Sequence, residues 1–154
     1  MNLQVYIASD HAGFTMKEYI TKWLTLSYMN MLPKHIKGLY VIDMGPSREG
    51  KCDYPDYAHM VSKLVSLNKN SIGIVICGTG IGMSIVCNRY PDIRCALCDS
   101  VTLAKLSREH NNSNVVALGS RVISQHTATK IIETFIGTKF LEGRHTDRIA
   151  KINK

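Results

Sequence analysis

The sequence predicts an α/β protein built on a doubly wound, five-stranded parallel sheet with helices on both faces. Short apolar runs rich in Val, Ile and Leu, typical of buried parallel strands, occur at residues 3–8, 39–44, 72–77, 94–98 and 115–118. A small-residue turn and then helical periodicity follow each run. This recurrence is the pattern of consecutive βαβ units.

The helical segments are recognised by apolar residues that share one face at a spacing of 3.6 residues. These faces comprise residues 16, 19, 20, 23 and 24, residues 57, 58, 61, 64 and 65, and residues 128, 131, 132 and 135. Pro55 fits a first helical turn, and Ser100 is a candidate N-cap for a helix that runs to about Glu109. We expect a loop or helix extension at residues 30–38 and a second loop at 45–52.

The length and composition predict one domain over residues 1–154. A chain of this size, 45% hydrophobic, can bury roughly 70% of the surface that its unfolded form exposes. The segment from about residue 138 is expected to pack on this domain or to reach a partner subunit. Because no apolar run is long enough for a membrane helix and the first residues lack a signal-peptide pattern, we expect a cytoplasmic protein without a membrane partner.

The charge of the chain does not indicate nucleic acid binding. The net charge is +7, but the basic residues are dispersed and are not interleaved with the aromatic residues. The five cysteines lie mostly in apolar runs, which fits reduced thiols better than a disulfide framework. Cys95 and Cys98 form a C-x-x-C pair within a predicted strand, so their side chains should point to opposite faces of the sheet.

The most distinctive segment is CGTGIGMS at residues 77–84, between the third strand and a helix. Glycines allow a backbone to approach a ligand closely, and free N–H groups at a helix start can hold an anionic oxygen. A thiolate at Cys77 can then act as a nucleophile or base. The alternative, a tight turn with Cys77 as a buried filler, is about equally compatible with this loop alone.

Three polar clusters accompany this loop, and each can have a functional or a purely structural role. Asp10 and His11 follow the first strand and can bind hydroxyls or an anion, although Asp10 can also simply cap a helix. His110 and its neighbours follow a helix and can equally form a solvated turn. Arg144 and Arg148 share a helix face and can grip a phosphate, unless they are only a solvated basic surface.

The sequence does not call for a metal or a cofactor. The six histidines are scattered, and no metal-binding, nucleophile-elbow or lysine-bearing cofactor motif accompanies them. A site without metal or cofactor is the simplest interpretation.

Six segments occur together along the chain: 9–14 (SDHAGF), 53–58 (DYPDYA), 77–84 (CGTGIGMS), 106–112 (LSREHNN), 117–121 (ALGSR) and 142–145 (EGRH). In this order they closely resemble the ribose-5-phosphate isomerase B family, which also includes galactose-6-phosphate and allose-6-phosphate isomerases. The resemblance covers nearly the whole chain. It implies a Rossmann-like domain that interconverts ribose 5-phosphate and ribulose 5-phosphate, in the non-oxidative branch of the pentose phosphate pathway.

The resemblance also implies a role for individual residues. Cys77 is implied to be the base that moves a proton between C2 and C1, with Thr79 as a further catalytic residue and His110 assisting ring opening. The enediolate loop is implied to comprise Gly78, Thr79, Gly80, Gly82 and Ser84. The implied sugar ligands are Asp10, Asn111 and, near the sugar, Tyr54, and the implied phosphate ligands are His11, Arg121, Arg144 and Arg148.

The direction of the chain predicts a site shared between two subunits. A helix that starts at the catalytic edge of the sheet and ends near Glu109 runs back about 15 Å, which places His110 and Asn111 at the opposite edge. We therefore expect a homodimer with shared active sites, as the resemblance also implies, or a dimer of such dimers. Two other functions stay open: isomerisation of galactose 6-phosphate or allose 6-phosphate, and a non-catalytic sugar-phosphate-binding module.

Overall fold

The computed structural model describes residues 1–153. Its strands are β1 (Asn2–Ser9), β2 (Gly38–Asp43), β3 (Ser71–Cys77), β4 (Cys95–Leu97) and β5 (Val115–Gly119). They form one sheet in the order β2-β1-β3-β5-β4, and all neighbouring strands are parallel. The predicted fold class is confirmed, and each predicted strand end lies within one residue of the observed end.

The strand order reverses between β1 and β3. From β1 the chain first adds β2 on one side and then returns to add β3 on the other, so the connections leave the two adjacent strands in opposite directions. A crevice forms at such a reversal, beyond the carboxyl ends of the strands, and ligands of open α/β sheets bind there. Ser9 pairs with Ile76 in this sheet, so Asp10 and Cys77 follow at the same edge.

The helices are α1 (Phe14–Leu26), α2 (Tyr54–Leu67), α3 (Ile81–Cys87), α4 (Val101–Asn111), α5 (Gln125–Gly137) and α6 (Arg144–Ile149), with a 3₁₀ turn at Tyr28–Met31. Helices α1, α4 and α5 contribute to the core on one face of the sheet, whereas α2 and α3 pack on the other. Among residues 1–153, no helix has both the length and the apolar character that crossing a bilayer requires.

Alternation along the strands divides the core between the two faces. In β1, Val5 and Ile7 face the α1 side, and Tyr6 and Ala8 face the α2 side. The same division separates Cys98, which belongs to the first core, from Cys95, which packs against the second. The two thiols therefore lie on opposite faces, as the strand pattern predicted.

Helix α1 differs from its predicted face in one respect. Tyr19 is 42% exposed, whereas Lys17 is completely buried. The Lys17 ammonium is paired with the Asp43 carboxylate and lies 2.7 Å from Glu18 Oε1. Because Asp43 Oδ1 also accepts a hydrogen bond from the Gly45 N–H at 2.8 Å, Lys17 ties the helix to the turn that follows β2.

Candidate active site

Cys77 is the last residue of β3, and it is only 6% exposed. Its Sγ atom accepts a hydrogen bond from the Gly80 backbone N–H at 3.1 Å. The thiol is therefore held against the inside of the glycine-rich turn. The same residue belongs to the apolar core on the α2 side of the sheet, so the thiol combines a polar contact with the buried position that the sequence left as an alternative.

The turn from β3 into α3 depends on Gly80, which has a φ of +79°. A methyl group at this position would lie 2.5 Å from Leu97 Cδ1 and 2.9 Å from the Leu118 carbonyl carbon. Both the dihedral angle and the close approach therefore exclude a side chain. The first N–H groups of α3, which follow this turn, have no intrahelical acceptor.

The hydroxyls of this loop are directed at the loop itself. Thr79 is exposed, and its Oγ1 atom accepts a hydrogen bond from the Ile81 N–H at 3.4 Å. Ser84 Oγ donates to the Ile81 carbonyl at 2.8 Å. Each hydroxyl oxygen keeps hydrogen-bonding capacity for a ligand, because one bond does not use both lone pairs and the proton.

Arg121 lies over the same loop. Its backbone N–H donates to the Gly78 carbonyl at 3.0 Å, and a methyl group at Gly78 would lie 3.1 Å from the Arg121 Nη1 atom. The preceding residue, Ser120, donates its backbone N–H to the Cys77 carbonyl at 2.9 Å. The guanidinium therefore lies beside the thiol-bearing turn, where it can meet an anion.

Asp10 and His11 form the second wall of the crevice. Asp10 is 7% exposed, and its Oδ1 atom accepts hydrogen bonds from the N–H groups of Ala12 at 2.9 Å and Gly13 at 3.0 Å. It therefore closes the turn that precedes α1, whose N-cap residue is Gly13, and no described residue hydrogen-bonds its Oδ2 atom. His11 is exposed, and its Nδ1 atom lies 2.9 Å from the Cys52 carbonyl oxygen, which fits an Nδ1–H donor and leaves Nε2 to a ligand.

Tyr54 closes the crevice from α2. A methyl group at Gly82 would lie 2.8 Å from the Cζ atom of Tyr54, so the phenol ring lies directly on the first turn of α3. The residue is 39% exposed, which leaves part of the ring accessible from the crevice. Within one chain, the crevice thus brings together the predicted site residues Asp10, His11, Tyr54, Cys77, Gly78, Thr79, Gly80, Gly82, Ser84 and Arg121.

The other predicted site residues lie elsewhere. His110, Asn111 and Arg148 line a separate cavity of about 370 Å³, together with His145. Arg144 begins α6 beside them and is exposed. Helix α4 ends at Asn111, two residues beyond the predicted end at about Glu109. His110 and Asn111 therefore belong to its last turn.

The separation of the two groups follows from the sheet. The Asn111 carbonyl accepts a hydrogen bond from Arg94 Nε at 3.0 Å, and Arg94 directly precedes β4 at the amino edge. At that edge the Asn114 carbonyl accepts a bond from the Gly73 N–H at 2.9 Å. Gly73 precedes Cys77 by four strand residues, or about 13 Å. His110 and Cys77 of one chain therefore occupy opposite edges of the sheet.

The contacts of two side chains near the predicted site residues were not predicted from the sequence. His145 stacks on His110, and its pKa is lowered by burial and by the nearby charges of His110, Arg144 and Arg148. Lys17 was missed although its spacing to Ile20 and Leu24 places it on the buried face of α1. The helical spacing was a usable signal for Lys17, whereas nothing in the sequence indicated the histidine stack.

The thiols of three other cysteines are also perturbed. A hydrogen bond with Cys95 lowers the pKa of Cys87. Burial raises the pKa of Cys98 to about 11, and a hydrogen bond with Cys87, together with burial, raises the pKa of Cys95. Among residues 1–153, His, Cys, Asp and Glu side chains do not gather in the groups of three or more that a metal ion would require.

A family model described as Ribose/Galactose Isomerase matches residues 5–152 of this chain. The chain belongs to the ribose/galactose isomerase family. It is 36% identical to ribose-5-phosphate isomerase B of Escherichia coli (strain K12), over 97% of this chain and 93% of that protein. It is 38% identical to a probable ribose-5-phosphate isomerase B of Mycoplasma pneumoniae, over 99% of this chain and 94% of that protein.

Solved structures of the ribose/galactose isomerase family have the same fold. Ribose-5-phosphate isomerase B of Clostridium thermocellum superposes with a TM-score of 0.89 at 38% identity, covering 98% of this chain and 95% of that chain. The Mycoplasma genitalium enzyme, solved with bound ribulose 5-phosphate, superposes with a TM-score of 0.88 at 37% identity, covering 99% and 95%.

Proposed function

We propose that this chain is a ribose-5-phosphate isomerase that uses Cys77 as its base. The observation that carries the proposal is the position of Cys77 at the strand-order reversal, with its Sγ atom held in the glycine-rich turn at 3.1 Å from the Gly80 nitrogen. Relatives that match this chain over nearly its full length carry that name, and one was solved with ribulose 5-phosphate bound.

In the proposed reaction the Cys77 thiolate removes the proton from C2 of the open-chain aldose. The electron pair of the C2–H bond forms the C1–C2 double bond, and the carbonyl electrons move to O1, which gives an enediolate. Return of the proton to C1, with transfer of the O2 proton to O1, produces the ketose. One base within reach of both carbons is sufficient for this transfer.

The turn after β3 is proposed to stabilise the enediolate. Backbone N–H groups there, at Gly78 and Gly82, can donate to a developing oxyanion, and such donors are worth most where water is excluded. The Gly80 N–H already donates to Cys77 Sγ. The hydroxyls of Thr79 and Ser84 add donors on the same loop. Asp10 Oδ2 and the exposed edge of Tyr54 face the region where sugar hydroxyls would lie.

We further propose that each site is completed by a second copy of the chain. His110 for ring opening, Asn111 for a sugar hydroxyl, and Arg144 and Arg148 for the phosphate would come from the partner, because they lie at the far edge of their own sheet. His11 and Arg121 would hold the phosphate from the first chain. The segment from about residue 138, which bears the two arginines, would thereby reach the partner's crevice.

Exposed apolar side chains support an interface at this place. Ile81 and Ile85 of α3 are 52% and 54% exposed, and Val101 and Leu103 at the start of α4 are 42% and 44% exposed. Both helices start at the carboxyl edge of the sheet, where the glycine-rich turn also lies, so a partner that covered these side chains would also enclose the site. A symmetric dimer would make two equivalent sites from such contacts.

The direct test is to incubate the protein with ribose 5-phosphate and to measure ribulose 5-phosphate formation, with allose 6-phosphate and galactose 6-phosphate in parallel. We expect turnover of the pentose phosphate that alkylation of thiols abolishes. Tight binding of ribose 5-phosphate without any product would instead indicate a binding module. A higher kcat/KM for either hexose phosphate would reassign the substrate.

A further inference from the structure

The rings of His110 and His145 are stacked face to face. Their centroids are 4.4 Å apart, and the ring planes differ by only 10°. His110 lies in the last turn of α4, and His145 is the second residue of α6, where it is only 7% exposed. A buried ring stacked so closely on another limits the orientations that the second ring can adopt.

The backbone holds this stack together independently of the side chains. The Leu141 N–H donates to the Glu109 carbonyl at 3.1 Å, which fastens the segment before α6 to the end of α4. Glu142 and Gly143, both with a φ of +58°, then turn the chain, and the His145 N–H donates to the Glu142 carbonyl at 3.2 Å. This hydrogen-bonded turn therefore places His145 against His110.

The charge of the surroundings favours a neutral ring at this position. Burial first, and then the charges of His110, Arg144 and Arg148, lower the pKa of His145. The lowered pKa favours the uncharged imidazole of His145 as the stacking partner of His110. An uncharged ring can pack against His110 without adding a further positive charge to a region that already contains two arginines.

We propose that His145 is a positioning residue that holds the His110 imidazole in the orientation needed for ring opening. The proposal rests on the proposed function, in which His110 acts on the ring oxygen of the sugar. His145 directly follows Arg144 and precedes Arg148 by one helical turn. Binding of the phosphate by the two arginines would therefore fix α6, and α6 would fix His110 through the stack.

The test compares three variants with the wild type. His145→Ala removes the ring, and kcat for ribose 5-phosphate should fall by about tenfold or more because His110 is no longer oriented, with little change in KM. His145→Phe retains a flat ring without nitrogen atoms and should restore kcat to within about threefold of the wild type. His126→Ala, at an exposed histidine of α5, is the matched control and should behave as the wild type.

A double variant separates positioning from direct participation. If His145 acts only through His110, the pair His110→Ala/His145→Ala should be no slower than His110→Ala alone. A further loss in the double variant, a loss in His145→Phe equal to that in His145→Ala, or full activity in His145→Ala would each overturn the proposal. Absence of isomerase activity in the wild type would instead refute the proposed function.

The stack itself can be measured without substrate. In NMR spectra the His110 ring protons should be displaced upfield by the neighbouring ring, as they lie over its face. This displacement should disappear in His145→Ala and persist in His145→Phe. An upfield displacement that is absent in the wild type, or that survives in His145→Ala, would show that the two rings are not stacked in solution.

Discussion

The Cys77 Sγ atom and the Gly80 backbone nitrogen lie 3.1 Å apart, joined by a hydrogen bond across the turn between β3 and α3. The bond directs the sulfur into the turn whose N–H groups are proposed to hold the enediolate. The base and the oxyanion donors are thus parts of one short loop. Their relative positions are set by local backbone geometry and need no distant contact.

Substitution of Cys77 should therefore remove catalysis and preserve binding. We expect Cys77→Ala to lower kcat by about 10²–10⁴-fold, the usual effect of losing a general base, while calorimetry shows nearly unchanged affinity for ribose 5-phosphate. Cys95→Ala, at the start of β4 and level with Gly73 in the sheet, is the control and should remain active. If Cys77→Ala keeps more than about a tenth of the wild-type kcat, Cys77 is not the base.

Subunit mixing should reveal whether the site is shared. Cys77→Ala and His110→Ala are each expected to be inactive, but in a mixed dimer one site would receive both intact residues. Random exchange makes about half of the dimers mixed, so roughly a quarter of the wild-type activity should return. Recovery is measured after subunit exchange has been verified by native mass spectrometry.

The control for this experiment is a pair of lesions within one crevice. Arg121 lies over Gly78 of the same chain, so Cys77→Ala mixed with Arg121→Ala should leave a lesion in every site. No activity should return in that mixture. Verified exchange without recovery in the His110 mixture would refute the shared site.

Gly80→Ala should destabilise the protein through both strain and crowding. The residue has a φ of +79°, and the added methyl group would lie 2.5 Å from Leu97 Cδ1. We expect a loss of about 2–3 kcal/mol in the free energy of unfolding, measured by urea denaturation. Gly137→Ala is the control, since Gly137 ends α5 without a positive φ and its added methyl group would lie 3.8 Å from Pro33 Cγ, and it should lose less than about 1 kcal/mol. Equal losses would show that the strain and the Leu97 contact at Gly80 are easily relieved.

The buried phenol of Tyr28 predicts a loss of stability in alkali. The residue is 1% exposed, its hydroxyl has no hydrogen-bond partner among residues 1–153, and burial followed by the charge of Glu133 raises its pKa to about 12. The unfolded chain releases this proton near pH 10 and the native protein only near pH 12. The contribution of Tyr28 to the free energy of unfolding is therefore fully present below pH 10. It should fall by up to about 2 kcal/mol as the pH rises to 12.

The comparison with Tyr28→Phe isolates this contribution, because all other groups titrate in both proteins. At pH 7 the variant should be as stable as the wild type or slightly more stable, since it removes a hydroxyl without a partner. Between pH 10 and pH 12 its unfolding free energy should decline less. Parallel curves for the two proteins would mean that Tyr28 reaches solvent or finds a partner in solution.

Much of the fold could be predicted because it depends on short-range patterns. Apolar runs bounded by Gly, Asp and Ser defined each strand to within one residue, since buried parallel strands are apolar on both faces. Ser100 was correctly identified as a cap, and its Oγ atom accepts a hydrogen bond from the Leu103 N–H at 3.4 Å. Prediction was poorer at Tyr19 and Lys17, because helical spacing alone does not reveal which buried side chain reaches a carboxylate such as that of Asp43.

The sequence by itself determined the order of strands and helices, the glycine-rich turn at Cys77 and, through chain direction, the separation of His110 from that turn. These features depend on residue type and local spacing, which are read directly from the chain. Only the tertiary structure decided that Arg121 lies over Gly78, that Tyr54 covers Gly82 and that His145 stacks on His110. These contacts join residues far apart in sequence, and their geometry depends on how the sheet and helices pack together.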